Sequence, residues 1–285
     1  MTSVNPPVVV GVDGSESAAR AVRWGAAEAA AHGSPLHLVF GVGEPVDFGA
    51  GLGVPPIGDD LFRREGIEAV EAAGRLAEET AASLSAGDIT TSVVDAPPIP
   101  ALTQLSGQAR MIVVGTRGLG AFRRGLLGSV STAVAREASC PVAVIPDGEL
   151  RRSGPVVVGV DGSPADQAAV DIAFDEAAHR EAELIALHAA TWIGMQSNWQ
   201  IQTEGSVLIS ETLAGRRERY PEVRTRRIVV EEEPAKGLLA AAHNAQLVVV
   251  GTHNPSRIIE WLCGSTAQNV IHHADCPIIV AQPGE

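Results

Sequence analysis

PPVVVGVDGSESAARAVRWGAAEAAAHGSPLHLVFGV, residues 6–42, returns as GPVVVGVDGSPADQAAVDIAFDEAAHREAELIALHAA at 154–190, an offset of 148. MIVVGTRG and SCPVAVIP, near residues 111 and 139, return as LVVVGTHN and DCPIIVAQ at an offset of 136. A chain that repeats its ends while its middles diverge is two copies of one folding unit, so whatever one copy folds into the other must also fold into. Pro, Gly and charge cluster in PDGELRRSGP, 146–155, where the copies join. The expected domains are 1–148 and 153–285.

Within the first copy the apolar run at 8–12 ends in Asp13-Gly14-Ser15, and Ser15 is placed to cap an alanine-rich helix over 16–32. Further strands are expected at 36–42, 89–95, 111–115 and 142–146, with helices at about 59–85 and 98–108 and a short helix before the last strand. Continuous apolar strands alternating with amphipathic helices define an α/β fold. Each copy is expected to form a doubly wound, Rossmann-like sheet of five parallel strands covered on both faces.

Composition narrows the partners. Hydrophobic residues make up 45% and charged residues 19%, with no apolar run long enough for a membrane helix. The N-terminus carries no basic region followed by a long apolar core, so the expected location is cytoplasmic, without membrane insertion. A formal charge of −13 opposes nucleic acid, which is bound through basic surface. The basic run 216–227 is followed by EEE and reads as a solvated face. Three cysteines, Cys140, Cys263 and Cys276, show no paired spacing and read as buried or incidental. Adjacent histidines such as His272 and His273 point in different directions on a helix and chelate poorly, so no metal is expected beyond one carried by a nucleotide. His37 and His188, both within strands, are expected to hydrogen-bond near the sheet.

Ligands of doubly wound sheets bind outside the carboxyl ends of the strands, where strand order reverses. Two glycine-rich strand ends are candidates, Gly11-Val12-Asp13-Gly14-Ser15 and Gly115-Thr116-Arg117-Gly118. The second runs on through Leu119, Gly120, Arg123 and Arg124 to Gly128-Ser129 at a helix start. Glycine lets backbone N–H groups approach an anion, a helix start adds a positive dipole end, and arginine adds charge. A polyphosphate is the ligand that uses all three. Asp13 and Asp161 also suit the capping of their own turns, and Ser129 and Ser265 suit plain N-caps.

Gly115, two residues, Gly118, nine residues and Gly128-Ser129 resemble the ATP-binding pattern of the universal stress proteins, and GVDGS is similar to their first strand end. The resemblance spans both copies, 8–146 and 156–281, and is strongest to mycobacterial and actinobacterial tandem members. It implies strand order 3-2-1-4-5, Mg-ATP held between the first and fourth strands, and a role in stress adaptation or growth control. Carried onto this sequence, it has Asp13 contact the nucleotide or its Mg2+, Gly11 leave room, and Gly41 offer backbone to adenine. Gly115 to Gly120 would wrap ribose and phosphates, and Gly128, Ser129, Val130 and Ser131 would hold the terminal phosphates. The second-copy equivalents are Gly159, Asp161, Ala189, Gly251, Thr252, Gly264, Ser265 and Thr266.

The second loop, GTHNPSRIIEWLCGST, keeps its ends and loses its middle. Asn254 replaces a glycine, Pro255 removes an N–H, and Arg123-Arg124 become Ile259-Glu260, with His253 and Arg257 the nearby basic or titratable side chains. Two unequal sites are expected, the second weakened, altered or empty. The chain's one lysine, Lys236, lacks the glycine framework of a Walker loop, so binding is favoured over catalysis, with slow ATP hydrolysis or a scaffold with vestigial sites as alternatives. Pairing of the terminal strands VAVIP or IIVAQ offers a route to a homodimer, and regulation implies a protein partner still to be identified.

Overall fold

A computed structural model describes residues 5–43, 59–85, 87–118, 128–163, 165–190, 198–252 and 266–282. The chain divides into two compact units, Met1–Asp147 and Gly148–Glu285. The first unit runs β1 (Val8–Gly11), α1 (Glu16–His32), β2 (Leu36–Gly41), α2 (Asp59–Thr80), β3 (Ile89–Val94), α3 (Pro98–Ser106), β4 (Met111–Gly115), α4 (Ser129–Glu137) and β5 (Val142–Ile145). Its strands lie in the order β3-β2-β1-β4-β5. All are parallel, with Val8 paired to Leu36 on one side and to Met111 on the other.

The apolar runs are central because helices cover both faces. Val8, Val9 and Val10 are buried, as are Ile112, Val113, Val142 and Val144. The terminal strand β3, ITTSVV, pairs on one edge only, with β2, and its Thr90 and Thr91 are exposed. Helix α1 is alanine-rich because it lies close on the sheet. At Gly25 an added Cβ would sit 2.6 Å from Val10 Cγ2, and Ala21, Ala26 and Ala29 are fully buried. Ser15 caps this helix by accepting from the Ala18 N–H at 3.1 Å, and Gly33 ends it with φ +57°. Helix α2 stops at Thr80, shorter than the expected 59–85. Beyond it the chain turns, and Asp88 accepts from both the N–H and the hydroxyl of Ser85, which holds the Asp88 carboxyl below its ordinary range.

The second unit runs β6 (Val156–Gly159), α5 (Ala165–His179), β7 (Leu184–Ala189), α6 (Asn198–Thr212), α7 (Arg216–Arg219), β8 (Thr225–Val230), α8 (Pro234–Ala242), β9 (Leu247–Gly251), α9 (Thr266–His273) and β10 (Ile278–Ala281). Its strand order is β8-β7-β6-β9-β10, again all parallel. The short helix α7 lies in the divergent middle of the repeat. Arg216 is tied there to Asp171 at 2.7 Å, while Arg217, Arg219, Arg226 and Arg227 are exposed, as expected for a solvated face.

The two strand histidines are hydrogen-bonded within the sheet layer, His37 Nε2 with Ser92 Oγ at 2.6 Å and His188 Nδ1 with the Val160 carbonyl at 2.8 Å. Burial lowers the His37 pKa. Cys140 and Cys276 are buried, and burial pushes their thiols up to about 11 and about 12. Cys263 lies outside the described residues. Among the described residues no helix is long and apolar enough to cross a membrane.

Candidate functional site

In the first unit strand order reverses between β1 and β4, which are hydrogen-bonded neighbours, so the loops leaving their carboxyl ends face one crevice. Asp13 leaves β1 in an Asx turn, its Oδ1 accepting from the Ser15 N–H at 2.9 Å, with Gly14 at φ +82° between them. The turn-capping role thus exists, and it fixes the carboxylate. Its other oxygen, Oδ2, lies 2.5 Å from where a Cβ on Gly118 would stand. Gly118 is therefore glycine because the β4 loop passes directly over Asp13.

A second contact draws the loop onto α1. A Cβ on Gly115 would run into Ser17, and the Arg117 N–H donates to the Ser17 hydroxyl at 3.3 Å. The start of α4 closes the group. The Gly128 N–H donates to the Thr116 carbonyl at 2.7 Å, and no side chain caps the helix. Its hydroxyls turn inward, Ser131 and Thr132 donating to the Gly128 carbonyl at 3.0 and 3.1 Å. Ser131 is buried and spent on this bond, whereas Ser129 is exposed. The first amides of α4, including those of Ser129 and Val130, thus have no side-chain cap, and Thr116 Oγ1 beside them is buried without a hydrogen-bond partner among the described residues. Uncapped amides at a helix start form an anion site.

Arg117 does not stand alone. Its guanidinium pairs with Asp147, just past β5, and Asp147 also pairs with Arg20 of α1. Gly11 is explained by packing, since an added Cβ would lie 3.0 Å from Leu102 of α3. Gly41 is held against the turn before α3, where its Cβ would meet Pro98 and the Ala96 carbonyl at 2.8 and 2.9 Å. Leu119, Gly120 and Arg124 lie outside the described residues.

The second unit repeats the frame and changes its chemistry. Gly159 packs on Leu238 as Gly11 does on Leu102, and Asp161 Oδ1 accepts from the Ser163 N–H at 2.8 Å as Asp13 does from Ser15. Ala189 ends β7 opposite Val230. Thr252 differs from Thr116, its hydroxyl donating to the Ala281 carbonyl at 3.2 Å and lying 3.3 Å from Gln282 Oε1. Gly251 ends β9 and Thr266 opens α9. Gly264 and Ser265 lie outside the described residues, as do Asn254, Pro255, Ile259 and Glu260.

Three residues escaped the reading of the sequence, all in the first turn of a helix or just past a strand. Ser17, Asp147 and Asp166 carry no motif. Offset 148 nevertheless pairs Ser17 with Ala165, Ala18 with Asp166 and Arg20 with Ala168, so a position-by-position comparison of the copies holds the signal. Asp166 is buried, and its Oδ2 accepts from the N–H groups of Asp161 and Gly162 at 2.8 and 2.6 Å. Burial first, and the Asp161 carboxylate second, push its pKa up to about 6.

Each unit is thus a doubly wound parallel α/β fold in which the first and fourth strands lie side by side. A family model described as the universal stress protein family matches residues 5–146 and again 153–282. Universal stress protein Rv2005c of Mycobacterium tuberculosis is 39% identical, with 96% of each chain covered. Rv2623 of the same species is 38% identical at the same coverage. The crystal structure of a universal stress protein from Archaeoglobus fulgidus is 20% identical, covers 98% of this chain and 97% of that one, and gives a TM-score of 0.74. The chain belongs to the universal stress protein family, as a tandem of two such domains similar to mycobacterial members.

Proposed function

We propose that the first domain binds ATP between the ends of β1 and β4, and that occupancy regulates stress adaptation or growth by changing the conformation or assembly of the tandem. The observation that carries this reading is the convergence of Gly118 on Asp13 with the uncapped start of α4 on Thr116. In this reading a fixed carboxylate, a loop glycine passing over it and helix-start amides would serve one nucleotide. Negative phosphates favour such amides, and the 2.5 Å gap at Gly118 admits no side chain.

Mg2+ would enter with the nucleotide and neutralise phosphate charge. The residue fit to meet it is Asp13, the carboxylate set at the end of β1 by the Ser15 amide with Oδ2 toward Gly118. The amides of Ser129 and Val130 and the Ser129 hydroxyl would hold terminal phosphate, and Arg117 would bind phosphate only by leaving Asp147. Gly11 and Gly41 act indirectly by letting α3 approach the strand ends. Cytoplasmic location, homodimerisation and a protein partner belong to the same proposal. Extraction of nucleotide from purified protein, followed by mass detection, tests it; protein that carries none and shows no calorimetric heat with Mg-ATP would overturn it.

A further inference from the structure

We infer that the outer face of α6 is a docking site for a basic amphipathic helix of a partner protein. This gives a surface to the protein partner of the proposed function, and it rests on that part of the reading alone, not on nucleotide binding. Helix α6 already has a side that serves the core, with Ile201, Gly205, Ile209 and Leu213 buried. Its outer side is apolar as well. Among the described residues three large apolar side chains are exposed, and two of them, Trp199 at 73% and Val207 at 51%, lie on this helix. Trp199, Thr203, Val207 and Glu211 recur every fourth residue and so share one broad face. Beside it runs a groove of about 550 Å³ whose walls include Thr203, Glu204, Val207, Leu208 and Glu211, with Gly162 at its floor side.

The first domain shows the same face when it is only solvated. Packing fixes the register between α2 and α6. A Cβ on Gly66 would meet Phe40 and one on Gly205 would meet His188, the residue equivalent to Phe40, while Cβ atoms on Gly14 and Gly162 would face Ala69 and Leu208. Both pairs of contacts give an offset of 139. At that offset Trp199 is Asp60, Thr203 is Arg64 and Val207 is Glu68. The third exposed apolar residue, Ile67, stands singly on α2 among exposed Arg63, Arg64 and Glu71. The fold therefore does not require Trp199 or Val207 on this face, and their exposure marks an interaction surface.

Charge decides the partner's chemistry. Glu204 and Glu211 are exposed, stand about 10 Å apart along the helix axis, and have no cation paired with them among the described residues. The arginines nearest in sequence are engaged elsewhere, Arg216 with Asp171 and Gln167 and Arg227 with Ser210. A helix lying along α6 with Lys or Arg seven positions apart meets both carboxylates. Its apolar face then covers Val207, Leu208 and Trp199. A second copy of this chain docking through the same face would set carboxylate against carboxylate, on a molecule whose net charge is −13.

The test uses the full chain without nucleotide and two fluorescein-labelled synthetic amphipathic helices of about 18 residues. They share one leucine face and carry lysine in one peptide and glutamate in the other. By fluorescence anisotropy the wild-type protein should bind the lysine peptide ~10-fold or more tighter than the glutamate peptide. W199S/V207S should weaken the lysine peptide by ~10-fold or more, and E204K/E211K should reverse the preference toward the glutamate peptide. All four positions are exposed, and thermal melting checks that the variants fold. Equal binding of the two peptides, an unreversed preference in E204K/E211K, or W199S/V207S within about 2-fold of wild type overturns the inference. So does sedimentation showing a dimer that W199S/V207S abolishes, since the face would then belong to a second copy. Nucleotide extraction and calorimetry read the first domain's site separately, so failure of either proposal leaves the other measurable.

Discussion

Asp13 and Asp166 are carboxylates on equivalent segments with opposite relations to their loops. Asp13 Oδ1 accepts the Ser15 amide and its Oδ2 lies toward Gly118; Asp166 is buried and its Oδ2 accepts the amides of Asp161 and Gly162. Substituting Gly118 by alanine places a methyl group against Asp13 Oδ2, which must swing away. ATP affinity of the first domain should fall by ~10-fold or more while the melting temperature barely moves, because the site is exposed and the displaced atom ends a short side chain. Calorimetry and thermal melting check the two halves of that statement. Asp166 makes a pH prediction. Its folded pKa is raised from 3.8 to about 6, so between those values the folded state holds the proton more tightly than the unfolded chain. Stability should therefore fall as pH rises from about 4 to about 6 and stay lower above it, by on the order of 3 kcal/mol. Asp166→Asn removes this titration, so the difference between wild-type and variant melting curves across pH 4–8 isolates it; parallel curves would refute the assignment.

Helix starts shape the strand-end loops of the first domain. The Ser15 hydroxyl holds the first turn of α1, and Ser17 in that turn holds the Arg117 amide, so one helix end positions the β4 loop. Ser15→Ala should cost about 1 kcal/mol and lower the melting temperature by about 2–4 °C in a domain of this size. ATP binding should weaken with it, since Ser17 moves with the same turn. A variant that melts lower yet binds ATP unchanged would separate the cap from the site. Helix α4 works in the opposite way, leaving its first amides without a side-chain cap. An isolated cap such as Ser15 stabilises the helix; an uncapped start such as Gly128 leaves donors for a ligand.

On the proposed reading the two domains are unequal, the first binding polyphosphate more strongly than the second. A titration of wild-type protein with Mg-ATP should give one strong site per chain, and two sites of equal affinity would contradict the asymmetry. Regulation through assembly predicts that molar mass measured by light scattering after size-exclusion changes between nucleotide-free and ATP-saturated protein. If mass and hydrodynamic radius are identical in both states, the regulatory proposal has no physical carrier. The net charge of −13 makes local amides and dipoles, rather than overall field, the source of any phosphate affinity.

The sequence by itself determined the two domains, the parallel sheets and the glycine-rich strand ends, because a repeat and apolar periodicity are local signals that every copy must satisfy. Asp13, Gly118, Gly11 and Gly41 were visible as residues, and the structure adds that Leu102 and the turn at Pro98 pack against Gly11 and Gly41. Only the tertiary structure decided that Gly118 lies on Asp13, that Arg117 is held by Asp147, and that Asp166 reaches back to amides four and five residues away in the chain. Such contacts depend on where α1, α5 and β4 come to rest against the sheet. A change from Ala18 to Asp166 keeps the helical pattern intact, and burial against two backbone amides is what turns it into a change of chemistry.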